Sequence, residues 1–344
     1  MHDSLRQVVD RLLAGEEISA VGMHAAISAV MDGQAAEVDI ASLLTALRCR
    51  GETVGELVGA ATAMRERATP IVCRSTGLLD TCGPGGDGLD TFNISTAAAL
   101  VAAACGVKVA KHGNRSATSK SGSADVLEAL GVNLQLTPEQ VGRCIDEVGI
   151  GFCFAPLLHG AMKFAAPVRK QLGFRTIFNL LGPLTNPAKA EFQLIGVPKL
   201  ALAEKLAKAL CELGTRHALV VCGNDELDEV SLWGTTTVWE IASGRLEQRT
   251  WTAKDAGLAE CRVEDLRIAN AADSAAIIRS VFDGQTGPAR DMIVVNVAAA
   301  LLAAGQAPTL KAGAEQAGQA IASGAAKDLV SRLCRFTQEF AVKA

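Results

Sequence analysis

The chain has 344 residues, of which 49% are hydrophobic and only 4% aromatic, with no tyrosine and a formal net charge of −4. That length exceeds the usual size of a single core, so two subdomains or one large α/β domain are expected. The acidic balance argues against broad nucleic-acid binding, and the longest apolar runs, 97–107 and 292–304, are too short to span a bilayer.

Residues 1–70 show helical periodicity and no strand, with helices expected at 4–14, 19–31, 37–49 and 54–67, punctuated by Gly15, Gly33 and Gly51. The first of these is amphipathic and lacks the apolar core of a signal peptide. Such a lead has little core of its own and is expected to pack on the rest of the chain or on another subunit. From Pro70 strands and helices alternate. A strand is expected near 78–81, a helix from Ser95, a strand at 107–110 and a helix from Ser123. Thr137-Pro138-Glu139-Gln140 then reads as a capping box with proline at the first helical position, followed by a strand at 150–154. This alternation predicts a mostly parallel sheet flanked by helices.

The alternation breaks over 155–187, which reads as helical and stops at Gly182-Pro183 and Asn186-Pro187. This segment is expected to return to the first helical layer. The small domain is then 1–70 with 160–190, and the α/β domain 71–159 with 191–344. The pattern resumes with a strand at 192–197, a helix at 200–213 and a strand at 218–222. A strand at 237–241 precedes two or three alanine-rich closing helices. The ten cysteines are scattered without a CxxC pair or a zinc-like spacing, and read as small buried hydrophobes in a reducing cytoplasm.

The most informative stretch is 80–131. Gly83, Gly85, Gly86 and Gly88 fall within six positions after a short apolar run, where glycine lets backbone N–H groups converge on an oxyanion. Ser95 and Thr96 precede an alanine-rich helix and are expected to cap it, making an anion site of its first turn. Lys111, His112, Asn114, Arg115, Ser116, Thr118, Ser119, Ser121 and Ser123 follow as a dense donor set. Two anion sites this close imply a ligand with phosphate groups at both ends. Further on, Asp225, Glu226, Asp228 and Glu229 form an acidic loop at the carboxyl end of an expected parallel strand. Adjacent Asp228 and Glu229, with the Ser95 hydroxyl, suit a magnesium ion shared with a diphosphate. Arg169 lies in a helical, otherwise apolar segment. Its fork suits a carboxylate, and a plain surface position is equally compatible with the residues alone. His112 reads as shaping the ligand site, and His159 is left without a role.

These residues, taken together, resemble the anthranilate phosphoribosyltransferases of tryptophan biosynthesis over nearly the full length. The motifs occur in the family's order: GPGGDG from Gly83, TFNIST from Thr91, KHGNRSATSKSGSAD from Lys111, HGAMKFAAPVR from His159, RTIFNLLGPLTNP from Arg175 and DELDEVS from Asp225. The resemblance implies a small all-helical domain plus a large α/β domain with a mostly parallel central sheet, in the nucleoside phosphorylase/phosphoribosyltransferase style. It also implies a cytoplasmic homodimer that transfers the phosphoribosyl group of PRPP to the amine of anthranilate, releasing pyrophosphate with Mg2+.

Position by position, it implies PRPP contacts at Gly83, Gly86, Asp87, Thr91, Asn93, Ile94, Ser95, Thr96, Lys111, His112, Gly113, Asn114, Arg115, Ser116, Ala117, Thr118, Ser119 and Ser123. Magnesium falls to Ser95, Asp228 and Glu229. Anthranilate falls to Gly83, Asn114 and Arg169, with His159 and Met162 lining its approach, and no residue is implied as a general acid or base. One departure stands out: the family usually has threonine where this chain has Pro84, which removes an N–H and fixes φ near −65°. Two alternatives stay open, a nucleoside phosphorylase of the same fold and a non-catalytic relative that binds nucleic acid.

Overall fold

The computed structural model describes residues 3–116 and 120–341. Four helices come first: α1 (Asp3–Leu13), α2 (Ala20–Met31), α3 (Glu37–Arg50) and α4 (Val54–Arg67). Their starts are chemically marked. Ser19 Oγ accepts from Gly22 N at 3.2 Å ahead of α2, and Thr53 with Glu56 forms a capping box ahead of α4. Glu56 is fully buried. Its carboxylate also accepts from Ile18 N at 2.9 Å and pairs with Arg50, which fastens the entrance of α2 to α4.

The α/β part follows as β1 (Leu79–Cys82), α5 (Ile94–Ala104), β2 (Val109–Gly113), α6 (Ser123–Leu130), α7 (Pro138–Val148) and β3 (Ile150–Phe154). The interruption comprises α8 (Ala155–Leu158), a 3-10 turn (Gly160–Phe164), α9 (Ala166–Leu172) and α10 (Ile177–Leu181). Then come β4 (Phe192–Gly196), α11 (Leu200–Glu212), β5 (His217–Gly223), β6 (Thr236–Ala242) and β7 (Arg245–Trp251). Four helices close the chain: α12 (Ala271–Phe282), α13 (Pro288–Ala303), α14 (Leu310–Ala322) and α15 (Ala325–Gln338).

The sheet has seven strands in the order β3-β2-β1-β4-β5-β6-β7. The first five are parallel, and β6 and β7 join antiparallel at one edge. The chain therefore begins in the middle of the sheet, walks outward to β3, and jumps back to start again at β4. Between β1 and β4 the direction of winding reverses, and their carboxyl ends open a crevice there.

Two apolar layers cover the sheet. On one face α13, whose residues from Met292 to Leu301 are all buried, packs on α5, α14, β1, β4 and β5. On the other, α1–α4 share one continuous core with α10, α11 and the inward residues of β4, β5 and β6, including Ile195, Val220 and Trp239. The helical lead thus lacks a separate core and is completed by the sheet, while α9 packs on α3 and α10 on α3 and α4. Among the described residues, no helix is long and apolar enough to cross a membrane. All ten cysteines are free thiols.

Several sequence expectations are corrected. The cap of α5 is Asn93, whose Oδ1 accepts from Thr96 N at 3.1 Å, so the helix begins at Ile94 and not after Ser95–Thr96. β2 starts at Val109 because Gly106 and Val107 close α5, donating to Ala103 O and Ala102 O. β7 was not expected: its middle residues are exposed and largely charged, so an edge strand here carries no apolar signal. The closing helices number four, where two or three were expected. The capping box at Thr137 forms as expected, with Thr137 N to Gln140 Oε1 at 2.9 Å.

Candidate active site

The crevice between β1 and β4 deepens into a cleft of about 710 Å³. One wall is built from loops at the carboxyl ends of β1, β2 and β4, and the other from residues 155–185 with Met64 of α4. The loop after β1 shows why its glycines differ. Gly85, Gly86 and Gly88 have φ of +63°, +87° and +74°, which side chains rarely tolerate. Gly83 is instead a contact glycine: a Cβ there would lie 2.2 Å from Gly196 O at the end of β4. The loop is held from behind by Arg175, which donates to Pro84 O at 2.9 Å and Gly85 O at 2.8 Å.

Beneath the loop lies a fully buried carboxylate, Asp80. It accepts from His112 N at 3.0 Å and from Asn186 Nδ2 at 2.7 Å, and Asn186 also donates to Ala110 O at 2.8 Å. Burial raises its pKa, opposed by these donors and by Lys111. One acid thereby ties β1, β2 and the 182–187 segment together. Lys111 is itself buried. Its Nζ donates to Thr81 O at 2.5 Å, Thr81 Oγ1 at 3.2 Å and Ser95 Oγ at 3.4 Å. Burial lowers its pKa, with Asp80, Cys82 and Glu229 opposing.

His112 and His159 meet Nε2 to Nε2 at 3.1 Å. His112 Nδ1 lies 3.1 Å from Gly182 O, and a carbonyl can only accept, so Nδ1 carries the proton. His112 Nε2 is then the acceptor and His159 Nε2–H the donor. That leaves His159 Nδ1 a lone pair, buried and without a partner. Both rings stay neutral, since burial holds His112 down at about 4 and His159 at about 3.

Of the basic loop, Asn114, Arg115, Ser116 and Ser123 line the cleft, and Ala117, Thr118 and Ser119 lie outside the described residues. Arg115 is engaged by α6, with Asp125 at 3.0 Å and Glu128 at 2.5 Å.

Asp87, Asp228 and Glu229 line the same cleft as Ser95, whose backbone N–H donates to Glu229. Burial lifts Asp228 well above the ordinary carboxylate range, and Asp87 and Glu229 push it further. Burial likewise pushes Glu229 up to about 8, against the pull of Lys111. Crowded acids that raise one another are a place for a cation. Among the described residues no group of three or more His, Cys, Asp or Glu is arranged to hold one alone. Two carboxylates and a hydroxyl facing open space fit a hard ion that takes its remaining oxygens from a phosphate ligand and water. Buried Asn296 of α13 fixes this corner, accepting from Val230 N at 2.8 Å and donating to Val230 O at 3.1 Å.

On the far wall Arg169 of α9 is half-buried, with its guanidinium 5.4 Å from the Phe178 ring centroid. No carboxylate or hydrogen-bond acceptor is paired with that guanidinium among the described residues. Met162 and His159 line the same side.

The structure thus gathers onto one cleft Gly83, Gly86, Asp87, Thr91, Asn93, Ile94, Ser95, Lys111 to Ser116, Ser123, His159, Met162, Arg169, Asp228 and Glu229. Thr96 is the exception: it is fully buried behind the first turn of α5, and its N–H is already taken by Asn93. Sequence reasoning missed Arg175, Asp80 and Asn296. Arg175 opened one recognised motif and Asp80 stood just before another, and Asn296 interrupts the apolar run from Met292 to Ala303 of α13.

Two family models match the chain in succession. The helical bundle domain of a glycosyl transferase family covers residues 6–68, and the a/b domain of a glycosyl transferase family covers 75–327. An anthranilate phosphoribosyltransferase of Symbiobacterium thermophilum is 51% identical over 97% of this chain and 96% of its own length. The one from Moorella thermoacetica is 48% identical over 98% and 99%. Among solved structures, anthranilate phosphoribosyltransferase from Thermus thermophilus superposes with a TM-score of 0.90 at 43% identity, covering 96% of this chain and 99% of that one. The Saccharomyces cerevisiae enzyme in complex with PRPP and Mg does so with a TM-score of 0.91 at 28% identity, covering 99% of each.

Proposed function

We propose that this chain, which belongs to the anthranilate phosphoribosyltransferase family of the glycosyl transferases, runs that family's reaction in the cleft between its helical layer and its sheet. The enzyme transfers the phosphoribosyl group of PRPP to the amine of anthranilate in tryptophan biosynthesis, releasing pyrophosphate. The observation that carries this is the match to curated relatives at about half identity over nearly the whole of both chains.

The reaction breaks the bond between ribose C1 and the pyrophosphate oxygen, both electrons leaving with pyrophosphate. The amine lone pair forms the new C1–N bond, and one amine proton is then lost. The residues divide accordingly. The 83–88 loop supplies backbone donors on the side of the leaving group, whereas the N–H groups in the first turn of α5 are already taken by Phe92, Asn93 and Glu229. Ser95, Asp228 and Glu229 would hold Mg2+, which when bound supplies positive charge beside the departing diphosphate. The basic loop 111–123 takes the phosphate at the other end of PRPP. Arg169, with an unpaired fork, takes the anthranilate carboxylate beside Gly83 and Asn114, which brings the amine to C1. His159 and Met162 line the approach.

No side chain is assigned as a general base. His112 Nε2 is occupied by His159, and His159 Nδ1 is closed off from the cleft. Preorganised charge and orientation carry the rate.

The same reading includes a small domain of 1–70 with 160–190, supported by the packing of α9 and α10 on α3 and α4. It also includes a cytoplasmic location and a homodimer, the latter in keeping with Leu13, Val21 and Val38, which three different helices of the lead leave exposed.

The test is loss of anthranilate fluorescence with purified protein, PRPP and magnesium, each of the last two omitted in turn. Decay that needs all three is expected. No decay while PRPP still binds would point to another amine acceptor. Phosphorolysis of a nucleoside by the same protein would favour the phosphorylase reading.

A further inference from the structure

We infer that Arg175 is the positioning residue of the diphosphate loop, and that Gly86 owes its missing side chain to Arg175 and to its own left-handed backbone rather than to the ligand. This rests on the reading of the cleft as a PRPP site.

The geometry is specific. The two ends of the Arg175 fork take the carbonyls of Pro84 and Gly85, at 2.9 and 2.8 Å. In a trans peptide the N–H points opposite to the C=O of the same unit. Holding those two carbonyls therefore turns the N–H groups of Gly85 and Gly86 away from Arg175. Neither N–H has a hydrogen-bond partner among the described residues. Two successive unpartnered donors turned away from the same guanidinium offer a seat for an anion.

The seat is asymmetric in a way that separates the two glycines. A Cβ on Gly85 meets nothing within 4 Å, whereas a Cβ on Gly86 would lie 1.9 Å from Arg175 Nη1. Gly85 answers only a backbone angle, whereas Gly86 answers both its left-handed backbone and a guanidinium that would have to leave its two carbonyls to make room. Pro84 fits the same scheme, because the latch uses its carbonyl and makes no demand on the N–H that proline lacks.

Arg175 also arrives from an informative place. It lies between α9 and α10, which pack on the helical layer, while the loop it holds extends from β1. Among the described residues it has no ion pair. Burial and the neighbouring Asp228 pull its pKa in opposite directions, burial the more strongly. A guanidinium keeps its charge in a protein, so a positive charge lies behind the loop, where it polarises the two peptide units and strengthens their N–H donors. The helical layer thus presets the donors that meet the diphosphate.

The test is a double-mutant cycle with Gly86→Ala and Arg175→Ala, read by calorimetric binding of Mg·PRPP and by steady-state kinetics. Each single change is expected to weaken PRPP binding about tenfold or more, with KM for anthranilate unchanged. In the Arg175→Ala background the alanine at 86 no longer meets a guanidinium. It should then add only about a fivefold loss from its left-handed backbone. Arg175→Lys, which reaches one carbonyl but not both, should recover part of the affinity.

Losses that multiply in the double variant would mean that Gly86 faces the ligand itself, and would overturn the inference. Unchanged PRPP affinity in Arg175→Ala would do the same. A parent protein that fails to bind PRPP would instead overturn the reading of the cleft. Thermal midpoints of all variants, with the lysine variant as the folded reference, separate lost binding from lost folding.

Discussion

A single methyl group at Gly196, on the floor of the cleft, should disable the acidic corner. Gly196 ends β4, and a Cβ built there lies 1.6 Å from Asp228 O and 2.4 Å from Asp228 C. Real Cβ atoms stay beyond about 3.0 Å from such neighbours, so in Gly196→Ala either β4 or the 224–229 loop must retreat by more than 1 Å. β4 is hydrogen-bonded on both sides, to β1 and β5. The loop is therefore the element that gives, carrying Asp228 and Glu229 with it. A displacement of about 1 Å in a positioned group costs on the order of 100-fold in rate, which is about 2.7 kcal/mol of activation free energy.

Mg2+ titration of the initial rate, followed by anthranilate fluorescence, reads the effect. The Mg2+ concentration for half-maximal rate should rise about tenfold or more, and kcat/KM for PRPP should fall about 100-fold. Crowding in the core should also lower stability by about 1–3 kcal/mol. Gly55→Ala is the control, because its Cβ meets nothing closer than 3.9 Å in the first turn of α4. It should leave the Mg2+ response unchanged. An unaltered Mg2+ response in Gly196→Ala would refute the assignment of that corner to the metal.

Three further outcomes follow from the site. Arg169→Gln removes the unpaired fork, so KM for anthranilate should rise about 10- to 100-fold while PRPP affinity holds; equal losses for both substrates would count against the carboxylate role. The histidine pair predicts an acid-sensitive fold. His112 and His159 titrate near 4 and 3 in the folded chain against about 6.5 when unfolded, so the unfolded state binds the extra protons. Stability is complete above about pH 6.5 and falls as pH drops toward 4, by about 3 kcal/mol for the His112 proton alone. Denaturant midpoints between pH 7.5 and 4.5 should fall less steeply in His159→Gln than in the parent, and an identical slope would sink the assignment. Pro84→Thr keeps the carbonyl used by Arg175 and restores an N–H, so it should bind PRPP as well as the parent or modestly better, with the reaction unchanged; weaker binding, measured by calorimetry, would contradict this.

Much of the fold was legible because its signals are local. The helices of the lead and the capping box at Thr137 follow from periodicity and end chemistry. β3 and β4 were plain as apolar runs between helices. The exposed, charged β7 was invisible for the opposite reason: at a sheet edge the backbone ladder alone holds the strand, and the side chains report nothing. The acidic pair and the glycine loop were likewise readable as chemistry, since crowded carboxylates and clustered glycines are unusual at any position.

What the residues alone determined was the list of parts: a glycine turn, a donor-rich loop, an acidic pair and one arginine in an apolar helix. Their order along the chain was enough to place the protein in its family. Only the tertiary structure decided which parts serve which. It showed that Gly83 yields to Gly196 and Gly86 to Arg175, that Asn93 and not Ser95 caps α5, and that Thr96 faces the core. It also paired His112 with His159, 47 residues apart. Such relations depend on how β1 and β4 approach one another in space, and no spacing along the chain encodes a distance between two loops.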